Sequence, residues 1–415
     1  MKDSSSISRS KNKPELTAPA GDWASLYSAV ESGADAVYFG IKGINMRHSA
    51  DNFDVLEIKK VMKVLHENGV KGYLALNVVV YDSEISKIKR ILKEAKKSKV
   101  DAVILFDAAV LSLSKNAGLK MHLSTQASVS NFESVKFFSA IGIKRIVLAR
   151  ECTLEGIRDI IKKCRKEKVD CEIETFVHGA MCVSISGRCF LSHQSFLKSA
   201  NRGECIQPCR REFIITDRDN ECDYVLGENY LLSPRDLCTM KFIDVLLKSG
   251  INAFKIEGRM RSPEYVRIVT SAYRRAIDAF MAGNLTEDLK EKLFQELKCA
   301  FNRGFEEGFY FGTPGGLGET AESLYEKSYV GEVIKFYKKI SVAEISVMSG
   351  ELKKGDKILI TGKRTPAGFA EVKEMEIKHK SVDVVGKGTY VGIKLPFLVC
   401  PKDKVFLWRL KSRED

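Results

Sequence analysis

The feature that most constrains the fold is a regular alternation of short apolar runs with amphipathic stretches. Apolar runs of strand length include Ala36–Gly40, Gly72–Asn77 and Ala102–Asp107. Between them lie stretches with apolar residues at helical spacing, such as 58–67 and 84–97. Strands that alternate with helices usually pair in parallel, through right-handed crossovers. The pattern therefore predicts an α/β fold with a parallel sheet.

Eight strand–helix units can be counted before the pattern changes. The predicted strands are Leu16–Ala20, Ala36–Gly40, Gly72–Asn77, Ala102–Asp107, Lys120–Ser124, Arg145–Arg150, Cys171–His178 and Ala253–Glu257. Eight units predict a TIM-like (β/α)8 barrel, and a doubly wound open sheet is the alternative. From about Tyr329 the chain is rich in Val, Ile, Lys and turn residues, which is typical of a small all-β barrel. We expect a disordered basic tail at 1–13, a barrel domain at 14–327 with a cysteine-rich insertion at about 180–238, and a β-barrel domain at 328–415.

The chain is basic, with a formal net charge of +13. Net charge indicates partners rather than fold, and RNA is a natural large anion; general solubility or binding of acidic metabolites is the alternative. The N-terminal 14 residues are rich in Ser and Lys and lack an apolar core, so we expect no signal peptide. No apolar run is long enough to span a membrane. These features and the odd number of cysteines, 11, predict a cytoplasmic protein with reduced thiols.

Cysteines concentrate among arginines and glycines in the middle of the chain. Cys182, Cys189, Cys205 and Cys238 are candidate ligands, because thiolates favour metals and iron–sulfur clusters. Their irregular spacing matches no common zinc-ribbon pair, and Cys209 is a rival ligand. The other cysteines are expected to pack as small hydrophobic residues: Cys152, Cys164, Cys171, Cys222, Cys299 and Cys400.

Polar residues follow the predicted barrel strands where those strands end, on the face that carries the active site in such barrels. They are Asn77, Asp107, Ser124, Thr125, Gln126, Arg150, Glu151, Glu174, His178, Lys255, Glu257 and Arg259. Each alone could cap a helix or form an ion pair, such as Lys255 with Glu257, but their shared position favours a site. Lys255 and Arg259 precede a predicted helix, which indicates an anion site for a carboxylate or phosphate. His178 beside Cys182 is also compatible with a nucleophilic pair, although no protease motif surrounds it.

Several of these motifs resemble the collagenase-like peptidase family U32. They are Glu174–Ser192, Leu16–Asp22, Ser124–Ala127, Arg150–Glu151, Lys255–Met260 and Phe301–Phe305. Despite the family name, its better understood members are RNA-hydroxylating enzymes and relatives in ubiquinone hydroxylation. The length and the appended β domain resemble most the branch that converts the wobble uridine of certain tRNAs to 5-hydroxyuridine. That branch uses prephenate and needs no molecular oxygen.

The resemblance implies cofactors and partners that the residues alone do not reveal. It implies a four-iron, four-sulfur (4Fe-4S) cluster on Cys182, Cys189, Cys205 and Cys238, with the choice between Cys205 and Cys209 left open. It also implies prephenate as hydroxyl donor and tRNA as partner, and it leaves a related second subunit as a candidate partner.

Positions in the predicted barrel suggest roles for individual residues. The catalytic candidates are His178, Glu174, Lys255 and Glu257, and the substrate-binding candidates are Arg150, Arg259, Asn77 and Gln126. Three other functions remain as alternatives: a ribosomal RNA cytidine hydroxylase, a U32 peptidase that cleaves collagen-like chains, and a non-catalytic RNA-binding scaffold.

Overall fold

The computed structural model describes residues 13–47, 50–211, 213–217, 222–226, 230–314, 317–318 and 324–411. The predicted tail lies outside this part of the chain except for Lys13. Seven parallel strands come first: β1 Glu15–Ala20, β2 Ala36–Gly40, β3 Lys71–Leu76, β4 Ala102–Leu105, β5 Met121–Leu123, β6 Ile143–Val147 and β7 Glu172–Ala180. The helices between them are α1 Trp23–Glu31, α2 Ile58–Glu67, α3 Ile85–Lys97, α4 Ala108–Asn116, α5 Phe132–Ala140 and α6 Leu154–Lys166.

A long insertion interrupts the alternation after β7. It contains α7 Leu191–Phe196 and the strands β8 Phe213–Asp217, β9 Cys222–Leu226, β10 Tyr230–Pro234 and β11 Asp236–Cys238. The alternation then resumes with α8 Ile243–Leu247, β12 Ala253–Ile256, α9 Pro263–Met281 and α10 Glu287–Lys298. Strand β12 pairs in parallel with both β1 and β7, so the sheet closes on itself. The predicted TIM-like barrel is therefore confirmed, and the open-sheet alternative is wrong.

Burial explains why the two kinds of segment fold differently. All five residues of β2 are buried, as expected of a parallel strand covered on both faces. Helix α3 buries Ile88, Ile91, Leu92 and Ala95, which form one stripe at helical spacing. Asp107, one of the polar residues at the predicted strand ends, accepts a hydrogen bond from the backbone N–H of Ala109 at 2.9 Å. It therefore caps α4, a contact that is typically worth about 1 kcal/mol.

The inside of the barrel holds a network of paired charges. Arg145 is 2% exposed and donates to Glu15 and Glu172, while Lys255 donates to Glu174 at 3.0 Å. Charges this deeply buried are tolerated only when they are paired and hydrogen-bonded. The network thus holds β1, β6, β7 and β12 in register by polar contacts as well as by packing.

The insertion returns to the barrel beside the strand from which it left. Strand β11 pairs antiparallel with the end of β7, with Asp236 opposite Ala180 and Cys238 opposite His178. Two short strands follow the helices: β13 Phe305–Glu306, which pairs in parallel with β11, and β14 Leu317–Gly318, which pairs with β10. The carboxyl end of β7 is therefore extended by a small sheet that supports the insertion.

The C-terminal part folds around its own core as an all-β domain, as expected. Its strands are β15 Tyr325–Tyr337, β16 Val342–Val347, β17 Glu351–Lys353, β18 Lys357–Thr361, β19 Gly368–Glu371, β20 Met375–Ile377, β21 Lys380–Ser381, β22 Val384–Gly386, β23 Tyr390–Lys394 and β24 Lys404–Leu410. Eight of them form an antiparallel sheet with β19 and β21 at its edges. In the described residues these edges do not pair, so the sheet curves into a half-barrel, and the predicted small all-β domain is confirmed.

The β domain packs against the outer helices of the barrel. Trp408 and Leu359 contact Ile268 of α9 in a small apolar cluster. The backbone N–H of Ala367 donates to the Ser28 hydroxyl of α1 at 3.1 Å. The β domain therefore contacts the outside of the barrel, whereas the insertion lies at the barrel mouth. Among the described residues, none of the helices is both long and apolar enough to cross a bilayer.

Tyr273 provides a test of how α9 is joined to the extended sheet. Its hydroxyl donates to the carbonyl of Val177 at 2.8 Å and accepts from the N–H of Thr239 at 3.1 Å. Tyr273→Phe should lower the free energy of unfolding by about 0.5–1.5 kcal/mol, because the Val177 carbonyl and the Thr239 N–H lose their bonds to the hydroxyl but keep the one between them. Urea denaturation measures the change. The control Tyr390→Phe, at an exposed ring of the β domain, should stay within about 0.5 kcal/mol; equal losses would contradict the assignment.

Candidate active site at the barrel mouth

Three arginines surround one carboxylate at the carboxyl ends of the barrel strands. Glu257 follows β12, and its Oε1 accepts from Nη2 of Arg47 at 2.7 Å and from Nε at 3.1 Å. Burial alone would raise the pKa of Glu257, but Arg47, Arg150 and Arg259 hold it at about 2. Glu257 is therefore ionised at neutral pH. Three guanidinium groups against one carboxylate leave an excess of positive charge at the mouth.

Arg259 is held in place by residues that follow β2. Its Nη1 donates to Oδ1 of Asn45 at 3.0 Å, and burial lowers its pKa to about 10. The guanidinium carbon lies 5.6 Å from the centre of the Tyr38 ring. Gly40 makes this approach possible, because a Cβ there would lie 2.7 Å from Nη1 of Arg259. The side chain is thus fixed before any ligand arrives.

Arg150 follows β6 and packs against the end of β7. Its Nη1 donates to the carbonyl of Ala180 at 2.6 Å, and its guanidinium carbon stacks 4.1 Å from the centre of the Phe176 ring. Both predicted substrate-binding arginines therefore lie near Glu257.

The remaining two predicted binding residues meet in a separate polar cluster. Asn77, after β3, donates through Nδ2 to the Ser124 hydroxyl and to Oε1 of Gln126, both at 3.2 Å. Ser124 also hydrogen-bonds to Gln126. Oδ1 of Asn77 is buried without a hydrogen-bond partner among the described residues. The cluster thus presents an unsatisfied acceptor.

The four catalytic candidates are distributed over three environments. Glu257 lies with the arginines, whereas Lys255 and Glu174 form a fully buried pair deeper in the barrel. The ion pair between Lys255 and Glu257 considered from the sequence is therefore not formed. Nζ of Lys255 also lies 4.3 Å from the centre of the Tyr38 ring, which links the buried pair to the mouth.

His178 lies apart from both of these groups. It packs among the rings of Tyr265, Tyr273 and Phe305, and burial, with a contribution from Arg261, lowers its pKa to about 3. The imidazole is therefore neutral at pH 7. It makes these aromatic contacts rather than one with Cys182, so the predicted nucleophilic pair is not formed among the described residues.

A second group of charges joins the mouth to the insertion. Asp236 accepts from Arg261 at 3.1 Å and from Arg303 at 3.3 Å. Arg210 donates through Nη2 to the carbonyl of Met181 at 2.9 Å, and its Nη1 is buried without a partner in the described residues. A buried guanidinium N–H of this kind indicates an unfilled acceptor position.

Four cysteines of the insertion lie within electrostatic reach of one another, and Cys238 lies deeper. Burial raises the pKa of Cys209, Arg210 lowers it, and the charges of Cys182, Cys205 and Cys189 raise it further. Cys238 lies in the core, with its Sγ 3.8 Å from the hydroxyl of Tyr273, and burial raises its pKa to about 11. Which of these cysteines bind a cluster stays a prediction.

Backbone hydrogen bonds mark Cys238 as well as three cysteines earlier in the insertion: a hydrogen bond with Met240, two residues later, lowers the pKa of Cys238 against the effect of burial. Sγ of Cys182, Cys189 and Cys205 accepts the backbone N–H two residues later, at 3.4, 3.3 and 3.4 Å respectively. By contrast, the thiols of three other cysteines donate to backbone carbonyls: Cys152, Cys171 and Cys299. Accepting N–H groups is the behaviour of a thiolate or of a cluster ligand, and donation is that of a protonated thiol.

The described cysteines of the insertion are not arranged around a single metal ion. No three His, Cys, Asp or Glu side chains among the described residues are close enough to hold one metal ion. In a four-iron cluster each cysteine binds a different iron, so the ligands stand farther apart than around a single ion. Arg210 and Arg47 lie within electrostatic reach of Cys182 and would offset negative charge there.

Several residues of the barrel mouth were not predicted from the sequence. Asn45 and Arg47 lie in the irregular segment between β2 and α2, and Arg210 and Asp236 lie in or at the end of the insertion. The only signal that could have found them is the concentration of arginine and glycine around these positions.

Comparison with known proteins gives one family. The sequence profile of peptidase family U32 matches residues 21–319. An uncharacterized protease of Methanocaldococcus jannaschii is 43% identical over 95% of this chain and 98% of its own length. A collagenase of Porphyromonas gingivalis is 38% identical over 97% of this chain and 99% of its own. The tRNA hydroxylation protein P1 of Bacillus subtilis is also 38% identical, over 78% of this chain and 75% of its own.

The low pKa of His178 predicts how stability depends on pH. Between about pH 6.5, where an unfolded histidine titrates, and about pH 3, the unfolded chain binds a proton that the folded chain does not. Stability therefore falls as the pH drops through this window. His178→Phe removes the titrating group and keeps a ring, so the wild type should lose about 2 kcal/mol relative to the variant between pH 8 and pH 5. Urea denaturation across this range measures the difference; a constant difference would contradict the burial of a neutral imidazole.

Proposed function

The chain belongs to peptidase family U32, and we propose that it is an RNA-modifying enzyme that hydroxylates the wobble uridine of tRNA to 5-hydroxyuridine. The observation that carries the proposal is the arginine-rich mouth beside a group of four cysteines. The 38% identity to a tRNA hydroxylation protein supports RNA hydroxylation as the reaction class. The excess of basic residues supports RNA as the partner, in the cytoplasm. A related second subunit stays a prediction.

Cys182, Cys189, Cys205 and Cys238 would hold the 4Fe-4S cluster, and Cys209 is the rival of Cys205. The first three sulfurs accept the backbone N–H two residues later, and a backbone hydrogen bond with Met240 lowers the pKa of Cys238 against the larger effect of burial. Such a cluster would supply electron transfer or a Lewis-acidic iron next to the substrate. Arg210 lies within electrostatic reach of Cys182 and Cys209 and would offset negative charge there.

The arginines at the mouth would bind prephenate, the proposed hydroxyl donor. Prephenate carries two carboxylates, and guanidinium groups bind carboxylates through paired, charge-assisted hydrogen bonds. Arg150 and Arg259 are the main candidates, and Arg47 is held by Glu257 in the same region. Glu257 keeps these cations in place and, because it is ionised at neutral pH, can accept a proton. Lys255 and Glu174 position Tyr38 and the floor of the mouth.

The polar cluster around Asn77 would recognise the base. The buried Oδ1 atom of Asn77 lacks a hydrogen-bond partner in the described residues and would accept a hydrogen bond from the N3–H of uracil. Cytosine has an acceptor at N3, so the same contact would leave two acceptors facing each other. This favours uridine over the cytidine considered as an alternative substrate. The neutral, enclosed His178 and its separation from Cys182 count against the peptidase alternative.

Cysteine variants test the metal centre directly. Protein purified without oxygen should contain about four irons and four sulfides per chain, and it should show the visible absorption of a 4Fe-4S cluster. Cys182→Ser, Cys189→Ser, Cys205→Ser and Cys238→Ser should each lose most of this iron. Cys209→Ser is the matched control and should retain it. Loss of iron from Cys209→Ser with retention by Cys205→Ser or Cys238→Ser would put Cys209 in the ligand set instead.

Activity is tested by nucleoside analysis. Cells that lack their own tRNA uridine hydroxylases would express the wild type, Glu257→Gln or Arg259→Gln, and mass spectrometry would measure 5-hydroxyuridine derivatives in tRNA. We expect each variant to lower them by about 100-fold, as for loss of an oriented charged group at a reaction site. The control Lys338→Gln changes an exposed residue of the β domain and should give the wild-type level of 5-hydroxyuridine derivatives. Wild-type production of 5-hydroxycytidine in ribosomal RNA, with unmodified tRNA, would contradict the proposal.

A further inference from the structure

The cysteine-rich insertion exposes an unusual amount of apolar surface. Six large apolar side chains that face solvent lie within residues 183–206, among them Leu197 at 80%, Phe190 at 68% and Ile185 at 62% exposed. Exposed apolar side chains that cluster on one short segment are typical of a binding surface.

The same segment is basic. Residues 182–211 contain four arginines and one lysine against a single acidic residue, Glu204. Arg188, Lys198 and Arg211 are exposed between the apolar side chains. A protein partner would have to bury these cations, and charged residues are depleted from the centre of protein interfaces. A polyanion with apolar faces matches the surface better.

The side chains are arranged for stacking. The guanidinium carbon of Arg211 lies over the ring of Phe196, 4.4 Å from its centre. Arg202 lies in the same way over Tyr81, at 4.8 Å, and the Tyr81 ring is 57% exposed on the loop after β3. Arginine on one face of an aromatic ring holds the ring and leaves its other face for a base.

The surface adjoins the mouth because the insertion is packed against it. Gly203 has a positive φ of 83°, and a Cβ there would lie 2.1 Å from the carbonyl oxygen of Asn45, the residue that holds Arg259. Arg188 donates to the Ser128 hydroxyl at 3.3 Å, which joins the insertion to the loop after β5. A nucleotide chain with its target base in the mouth would therefore lie across the insertion.

We propose that Phe190, Phe196, Ile185 and Leu197, with Arg188 and Arg211, form a stacking platform for unpaired RNA bases next to the target uridine. The proposal rests on the proposed function, and it adds that the enzyme recognises single-stranded rather than duplex RNA. Bases in a duplex stack on each other and cannot cover these side chains, whereas loop bases can. The platform binds the flanking bases, and its cations bind their phosphates.

Binding experiments with the full chain, its cysteine ligands intact, test the platform. The probes are a fluorescent anticodon stem-loop RNA and a fully paired RNA of equal length. Phe190→Ala and Phe196→Ala should each weaken stem-loop binding by about tenfold, and duplex binding by less than twofold. These two variants should not change the slope of the logarithm of the binding constant against the logarithm of the salt concentration, because no charge is lost. Arg188→Gln removes one cation and should reduce the magnitude of that slope by about one.

Matched variants keep this test independent of folding. Phe190→Trp should restore binding, since it keeps an aromatic face, and Phe137→Ala should have no effect because Phe137 is exposed on α5, away from the insertion. Iron content of the alanine variants should equal that of the wild type. An equal loss for both RNAs, or the same loss from Phe137→Ala, would overturn the platform.

Two further outcomes separate the platform from the proposed function. If the wild type hydroxylates tRNA and the alanine variants bind the stem-loop normally, the platform is wrong and the function stands. If the wild type binds neither RNA and modifies none, the function itself fails. A change in oligomeric mass on Phe190→Ala, with RNA affinity unaltered, would make the surface a protein interface and overturn the proposal.

Discussion

The closure of the barrel by β12 is the constraint on which the site depends. Because β12 pairs with both β1 and β7, Glu257 at its end is brought beside Arg47, which is 210 residues earlier in the chain. Without this pairing, the arginines of the mouth would not surround the Glu257 carboxylate. Parallel strands end on the same face of a barrel, so side chains from distant segments meet there without further adjustment.

Electrostatics then divides the interior into layers with different chemistry. Deep in the barrel, Lys255 and Glu174 neutralise each other and hold the strands together. At the mouth, arginines outnumber carboxylates, which leaves an excess of positive charge. Beyond the mouth, the sulfur of Cys182, which accepts an N–H group, lies within electrostatic reach of Arg210. Under the proposed function, the mouth would bind the anionic substrate and the sulfurs beyond it would hold the redox centre.

Much of this was predictable from the sequence, for physical reasons. Buried parallel strands and amphipathic helices have different periods, so the eight units could be located, and Arg150 and Arg259 were found because they follow strands. Asn45 and Arg47 were missed because an irregular segment has no period from which to infer position. Whether Cys205 or Cys209 joins Cys182 and Cys189 was left open, because spacing does not show which way a segment turns its side chains. The contact of Cys238 with Tyr273 was not foreseen either, since it depends on the antiparallel pairing of β11.

The way in which the insertion is attached has a consequence for how such enzymes diversify. Its two ends, Ala180 and Asp236, are paired with each other across β7 and β11. The segment between them begins and ends at nearly the same point, so its length and content can change without moving a barrel strand, at a small entropic cost. Insertions and deletions between the cysteines of this segment can therefore accumulate during evolution. They could change which substrates reach the mouth, while the barrel strands and their charged residues are inherited unchanged.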